Sequence, residues 1–109
     1  LFRLNNGGVS MNFANRQLEM TSNARLDNDS TNASVTMSFA QDLSVLTGNN
    51  GRILYLTGVN TGNNTFSGVI GNSSNGSGAT QVRKTEAGTW ILGADNTYTG
   101  KTTVDNGTL

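Results

Sequence analysis

The chain has 109 residues with seven basic and seven acidic side chains, so its formal net charge is zero, and it contains no Cys, His or Pro. This excludes disulfide staples, thiolate metal sites, a cysteine nucleophile and the commonest general base, and it argues against a nucleic-acid or anionic-membrane surface. Asn, Gly, Ser and Thr make up roughly half of the sequence and apolar residues only 34%, a balance that favours many short strands joined by polar turns.

Strand signals run from one end to the other. The chain begins without Met, directly in strand-like sequence at Leu1 to Leu4, and so reads as an excised or processed segment. Val9, Met11 and Phe13 alternate with Ser10 and Asn12. Residues 15–20 (Asn-Arg-Gln-Leu-Glu-Met) are the one helix candidate, but they are short and uncapped, and Leu18 and Met20 alternate as in a strand. Val35, Met37 and Phe39 alternate with Thr36 and Ser38. Leu54 and Leu56 share a face, as do Trp90 and Leu92, and a last run covers Thr102 to Val104. Alternation places one apolar and one polar face on each run. Turn clusters separate the runs at 5–8, 27–30, 48–51, 71–78 and 105–107, where Gly, Asn and Asp tolerate the left-handed backbone. No apolar run approaches the roughly 20 residues of a membrane-spanning helix, and no signal-peptide layout is present.

The sequence also echoes itself. Asn64-Thr-Phe-Ser-Gly68 matches Asn96-Thr-Tyr-Thr-Gly100, and Gly51 to Leu56 matches Gly88 to Leu92, the first copy carrying a few extra residues over 57–63. Repeats with β-only content point to a solenoid, in which each unit buries its face against its neighbours. The expectation is an all-β, right-handed parallel β-helix of about four coils. The competing architecture is an antiparallel sandwich of hairpins. In the helix, the repeat core would be Leu54, Leu56, Asn64, Phe66 and Gly68 in a degenerate copy over 51–70. The second copy, over 88–109, would supply Trp90, Leu92, Asn96, Tyr98, Gly100, Val104 and Leu109. Val9, Met11, Phe13, Met37 and Phe39 would also point inward. Asn64 and Asn96, at matching positions, are candidates for an amide ladder between coils.

Little in the sequence speaks for reaction chemistry. Of the carboxylates, Asp27, Asp95 and Asp105 each adjoin an Asn in a turn cluster, where Asp serves local hydrogen bonds. Asp27-Asn-Asp-Ser-Thr-Asn32 is similar to the start of a calcium loop but lacks the Gly at its sixth position and the closing Glu, so it reads as a turn. The Gly/Ser/Asn-rich 71–78 has no Lys-Ser/Thr ending and is not a phosphate loop. Asn-x-Ser/Thr triplets, at Asn28 and Asn32 for example, are what chance gives in so Asn-rich a chain. No catalytic, cofactor-binding or metal-ligating residue is expected, and the chain reads as no enzyme. A polysaccharide-active enzyme is the third-ranked reading. Tyr55 and Ile91 fall on the outward face and are candidates for surface contact.

The stretch Gly88-Thr-Trp-Ile-Leu-Gly-Ala-Asp-Asn-Thr-Tyr-Thr-Gly-Lys-Thr-Thr-Val-Asp-Asn-Gly-Thr-Leu109 resembles the autotransporter passenger-associated strand repeat, departing from it at Asp95 and Lys101. The resemblance covers about a fifth of the chain closely and 51–70 loosely. It implies a β-helical passenger segment of a Gram-negative autotransporter or adhesin. Such a segment is exported through its own C-terminal outer-membrane β-barrel, which is not in this chain, and displayed at the cell surface or secreted, in the setting of virulence. On this reading the chain supports secretion and folding. The alternative is an adhesive face for host or neighbouring-cell ligands. Open coil faces at either end would also invite self-association.

Overall fold

The computed structural model describes residues 2–4 and 9–109, with only the backbone of Phe2 and Leu4. The turn expected at 5–8 lies outside the described residues. Eleven short strands follow one another, and no helix occurs among the described residues. They are β1 (Phe2–Leu4), β2 (Met11–Phe13), β3 (Glu19–Met20), β4 (Ala24–Asn28), β5 (Met37–Phe39) and β6 (Ser44–Val45). β7 (Arg52–Thr57), β8 (Asn64–Phe66), β9 (Thr80–Lys84), β10 (Trp90–Leu92) and β11 (Thr102–Val104) complete the chain.

Every strand pairs in parallel, with the strand one coil before or after it. The first sheet runs β1-β4-β7-β9-β11, the second β2-β5-β8-β10, and a third holds β3 and β6. The chain is therefore a parallel β-solenoid in which three complete turns carry it from β2 to β10. Among the described residues no hairpin joins two strands and every pairing is parallel, so the antiparallel sandwich is excluded. Tight corners replace the helical crossovers that usually connect parallel strands.

In-register parallel pairing sets like positions over one another at about 4.8 Å. In the second sheet, Phe13, Phe39, Phe66 and Leu92 form one inward column. The Phe13 and Phe39 rings stack at 5.0 Å between centroids and 6° between planes, and Phe66 continues at 5.6 Å from Phe39. Trp90 lies 6.4 Å from Phe39 and closes the aromatic cluster. In the first sheet, Leu54 and Val82 stack in one inward column and Leu26 and Leu56 in another. Met20, Val45 and Ile70 fill the third side.

The structure corrects several expectations. The repeat read at an offset of 32 is not the structural repeat, because Asn64 stands opposite Trp90 and Phe66 opposite Leu92. Leu56 belongs to the first sheet and Leu92 to the second, so the Gly51 to Leu56 and Gly88 to Leu92 segments occupy different sides of the coil. Val9 is 80% exposed and precedes β2 rather than belonging to the core. Val104 pairs with Lys84 and so keeps the inward position expected of it, but it is 51% exposed, and Leu109 is 38% exposed. Asp27 and Asn28 lie within β4, and the turn begins after them.

Phe39 is 1% exposed and touches three other rings. Phe39→Ala should therefore cost about 3–5 kcal/mol in denaturant unfolding of this chain, whereas Val104→Ala should cost less than about 1 kcal/mol. Equal losses would mean that the stack is not the core.

Candidate functional site

The corner at which the chain leaves the first sheet for the second is the most specialised part of the molecule. Three fully described loops turn it, over residues 29–36, 58–63 and 85–89, after β4, β7 and β9. Loops at a solenoid corner carry backbone groups that the sheets do not pair, and buried ones need partners.

Three amides supply them. Asn28, Asn60 and Asn64 are all at most 1% exposed. Asn28 Nδ2 donates to Asn64 Oδ1 at 2.7 Å and to the Val35 carbonyl at 2.9 Å. Asn64 Oδ1 also accepts from the Met37 N–H, while Asn64 Nδ2 donates to Asn60 Oδ1 at 3.0 Å and to the Thr89 carbonyl at 2.9 Å. Asn60 Nδ2 in turn donates to the carbonyls of Ser30 and Asn32. The amides thus tie loops of three successive coils together. The expected ladder between Asn64 and Asn96 does not form. Asn96 sits half-buried on another side of the coil, where its Oδ1 accepts from the Ile70 N–H at 2.8 Å.

A buried cation serves the last of these loops. Lys84 follows Val82 by two residues, so it points inward in the column of Leu26 and Leu56, and it is fully buried. Its Nζ donates to the carbonyls of Thr85, Glu86 and Asn106. Burial pushes its pKa below the ordinary lysine value, and the charge of Glu86 opposes that shift. Trp90 adds a link inside the coil, its Nε1 donating to the Thr57 carbonyl at 3.1 Å.

Outside the same corner lies an acidic group. Glu86 takes a left-handed backbone, φ 61°, and its Oε2 accepts from the Thr57 hydroxyl and the Gly58 N–H. The Thr57 hydrogen bond holds the Glu86 carboxyl below its ordinary pKa, against the opposing effect of burial. Asp27 is buried and bonded to the Arg3 guanidinium at 2.7 and 2.9 Å. Beside it, burial and then the charge of Asp27 push the Asp29 carboxyl up.

The other residues of the repeat fall into two groups. Leu54, Leu56, Phe66 and Trp90 are at most 1% exposed, and Leu92 and Tyr98 are partly buried against them. Tyr98 hydrogen-bonds through its hydroxyl to Thr102 Oγ1. Gly68 and Gly100 lie where the chain crosses a neighbouring coil: a Cβ would stand 2.0 Å from the Gln41 carbonyl oxygen at the first and 2.2 Å from that of Thr80 at the second. On the outer face, Arg25 lies over the Tyr55 ring at 5.3 Å, and Ile91 is 40% exposed. Sequence reasoning missed Asn28, Asn60 and Lys84. Strand alternation from Val82 could have found Lys84, but nothing local marks the two amides among so many Asn.

This geometry ties successive coils of the solenoid together. Residues 82–109 match the passenger-associated-transport-repeat family. Over 61 residues, 56% of the chain, the sequence is 44% identical to the adhesin BmaC autotransporter of Brucella suis biovar 1 (strain 1330), and it spans 2% of that protein's length. No solved structure matches. The chain carries a passenger-associated repeat region of the kind found in autotransporter passengers.

If the amide corner fixes the coils, Asn64→Leu should cost at least about 2 kcal/mol in urea unfolding, because it strips buried donors and acceptors of their partners. Asn96→Ala, at a half-buried position, should cost less than about 1 kcal/mol. Similar losses at both sites would return the structural weight to the expected Asn64–Asn96 pairing.

Proposed function

We propose that this segment works as part of an autotransporter stalk, whose coil-by-coil stacking supports passage across the outer membrane, folding and surface display. The observation that carries the reading is the pairing pattern. Each strand finds its partners in the coil just before and just after it, so a coil can fold as soon as it follows a folded one. Burial of Trp90 and Leu92 against the coil of Asn64 and Phe66 then opposes backward movement of the chain. The partner in export is the C-terminal β-barrel of the parent protein, and the location is the cell surface or the secreted fraction. The segment does no catalysis in this role; without His, the carboxylates at the corner lack the usual base to work with.

The decisive experiment places Trp90→Ala with Leu92→Ala in the full-length passenger and follows surface display over time by accessibility to external protease. Display should slow by at least about tenfold, the equivalent of roughly 1.4 kcal/mol in the folding step. Display at the unaltered rate would sink the proposal.

A second reading has its own support, because the Brucella relative is named an adhesin. The outward row Arg25, Tyr55 and Arg83 of the first sheet would be the adhesive face. Binding to a panel of glycans and matrix proteins, abolished by Arg25→Ala with Tyr55→Ala, would favour it over a pure stalk.

A further inference from the structure

The acidic group at the corner is not explained by stacking. One carboxylate oxygen each from Asp27, Asp29 and Glu86 lie within 4.8 Å of one another. Asp27 is 1% exposed. Arg3 occupies its Oδ2, but Oδ1 is buried and accepts no hydrogen bond among the described residues. A buried carboxylate oxygen without a partner is costly. The neighbouring carboxylates repel it while ionised, and Asp29 would satisfy it only by holding a proton.

The remaining contacts leave room for a ligand. The two hydrogen bonds to Glu86 fall on Oε2 and leave Oε1 outside them. Arg3 approaches Asp29 through Oδ2, at 3.5 Å. Three carboxylates therefore stand against the single guanidinium of Arg3, with Arg25 acting on Glu86 only through space. Two negative charges need balance, and the balancing group must accept oxygen donors from several directions. A hard divalent cation does both.

We propose that Asp27, Asp29 and Glu86 form a calcium site that clips the solenoid together at this corner. Asp27 is the penultimate residue of β4 and Glu86 follows β9, with Thr57 of β7 between them in register with Asp27. The ion would thus join rungs that are not hydrogen-bonded neighbours. The charge it brings meets Asp27 Oδ1, a buried oxygen that the described residues leave without a partner. With Arg3 competing and few ligands from the protein, the site belongs with the weak extracellular class, at a dissociation constant of about 10⁻⁴–10⁻³ M.

Trp90 makes the site observable. It is the only tryptophan of the chain, and its indole hydrogen-bonds to Thr57, whose hydroxyl donates to Glu86. Terbium added to the 109-residue chain should give emission sensitised through Trp90, and calcium should displace it. Calcium chloride at about 5 mM should raise the melting temperature by about 5 °C over chelator. Asp29→Asn, at a partly exposed position, should fold, should weaken both responses at least about tenfold in cation concentration, and should separate them from Asp105→Asn, which should keep both. Three results would overturn the proposal: no sensitised emission from the folded wild-type chain, responses of equal strength in Asp29→Asn, or the same thermal gain from sodium chloride at matched ionic strength.

Discussion

Parallel stacking in register is the constraint on which the rest of this structure depends. Each inward position is stacked on its counterpart in the next coil, so a side chain is tolerated only if that counterpart can lie against it. Aromatic rings meet the demand well: Phe13, Phe39 and Phe66 lie nearly flat upon one another. Two inward columns are interrupted by polar groups. Asn64 stands between Met37 and Trp90, and Lys84 continues the column of Leu26 and Leu56. Both survive burial because the same corner turns carbonyls or N–H groups toward them. The polar interruptions and the irregular loops are therefore two halves of one solution, each satisfying the groups that the other leaves unpaired.

This explains why loops of unequal length can close the same corner. The loops over 29–36, 58–63 and 85–89 differ in length, yet each delivers its chain into the second sheet in register. The amides of Asn28, Asn60 and Asn64 hold the longer two, and the Lys84 ammonium and the left-handed backbone at Glu86 hold the shortest. The hydrophobic columns supply most of the stabilisation without direction. The directional bonds at the corner decide where each coil stops advancing.

Much of this was legible from period-two alternation. Met37 with Phe39, Leu54 with Leu56, and Trp90 with Leu92 point inward by that rule, while the parallel solenoid is indicated over a sandwich only by the internal echo and by resemblance to the passenger-associated repeat. The register was not legible. The match between Asn64-Thr-Phe-Ser-Gly68 and Asn96-Thr-Tyr-Thr-Gly100 set a strand against a connection, because local composition repeats at a spacing different from the coil. Corner chemistry was hidden for a different reason. Asn28 and Asn60 act through partners in other coils, so their own neighbours in sequence give no sign of it. Lys84 lies at an inward position by alternation from Val82, but its charge argues against burial until its carbonyl partners in the folded corner are seen.

The placement of chemistry around the coil bears on how such a segment can work. The outer faces of the sheets hold scattered ion pairs, such as Arg83 with Asp105, of the exposed kind that contributes little to stability. The corner between the first and second sheets instead gathers the buried amides, the buried lysine and the three clustered carboxylates. Parallel strands are hydrogen-bonded only to adjacent rungs. Glu86 adds hydrogen bonds back to Thr57 and Gly58 of the preceding coil, where the backbone departs most from regular pairing. Side-chain hydrogen bonds between coils are therefore gathered at one edge, while the outer faces of the sheets carry exposed pairs such as Arg83 with Asp105.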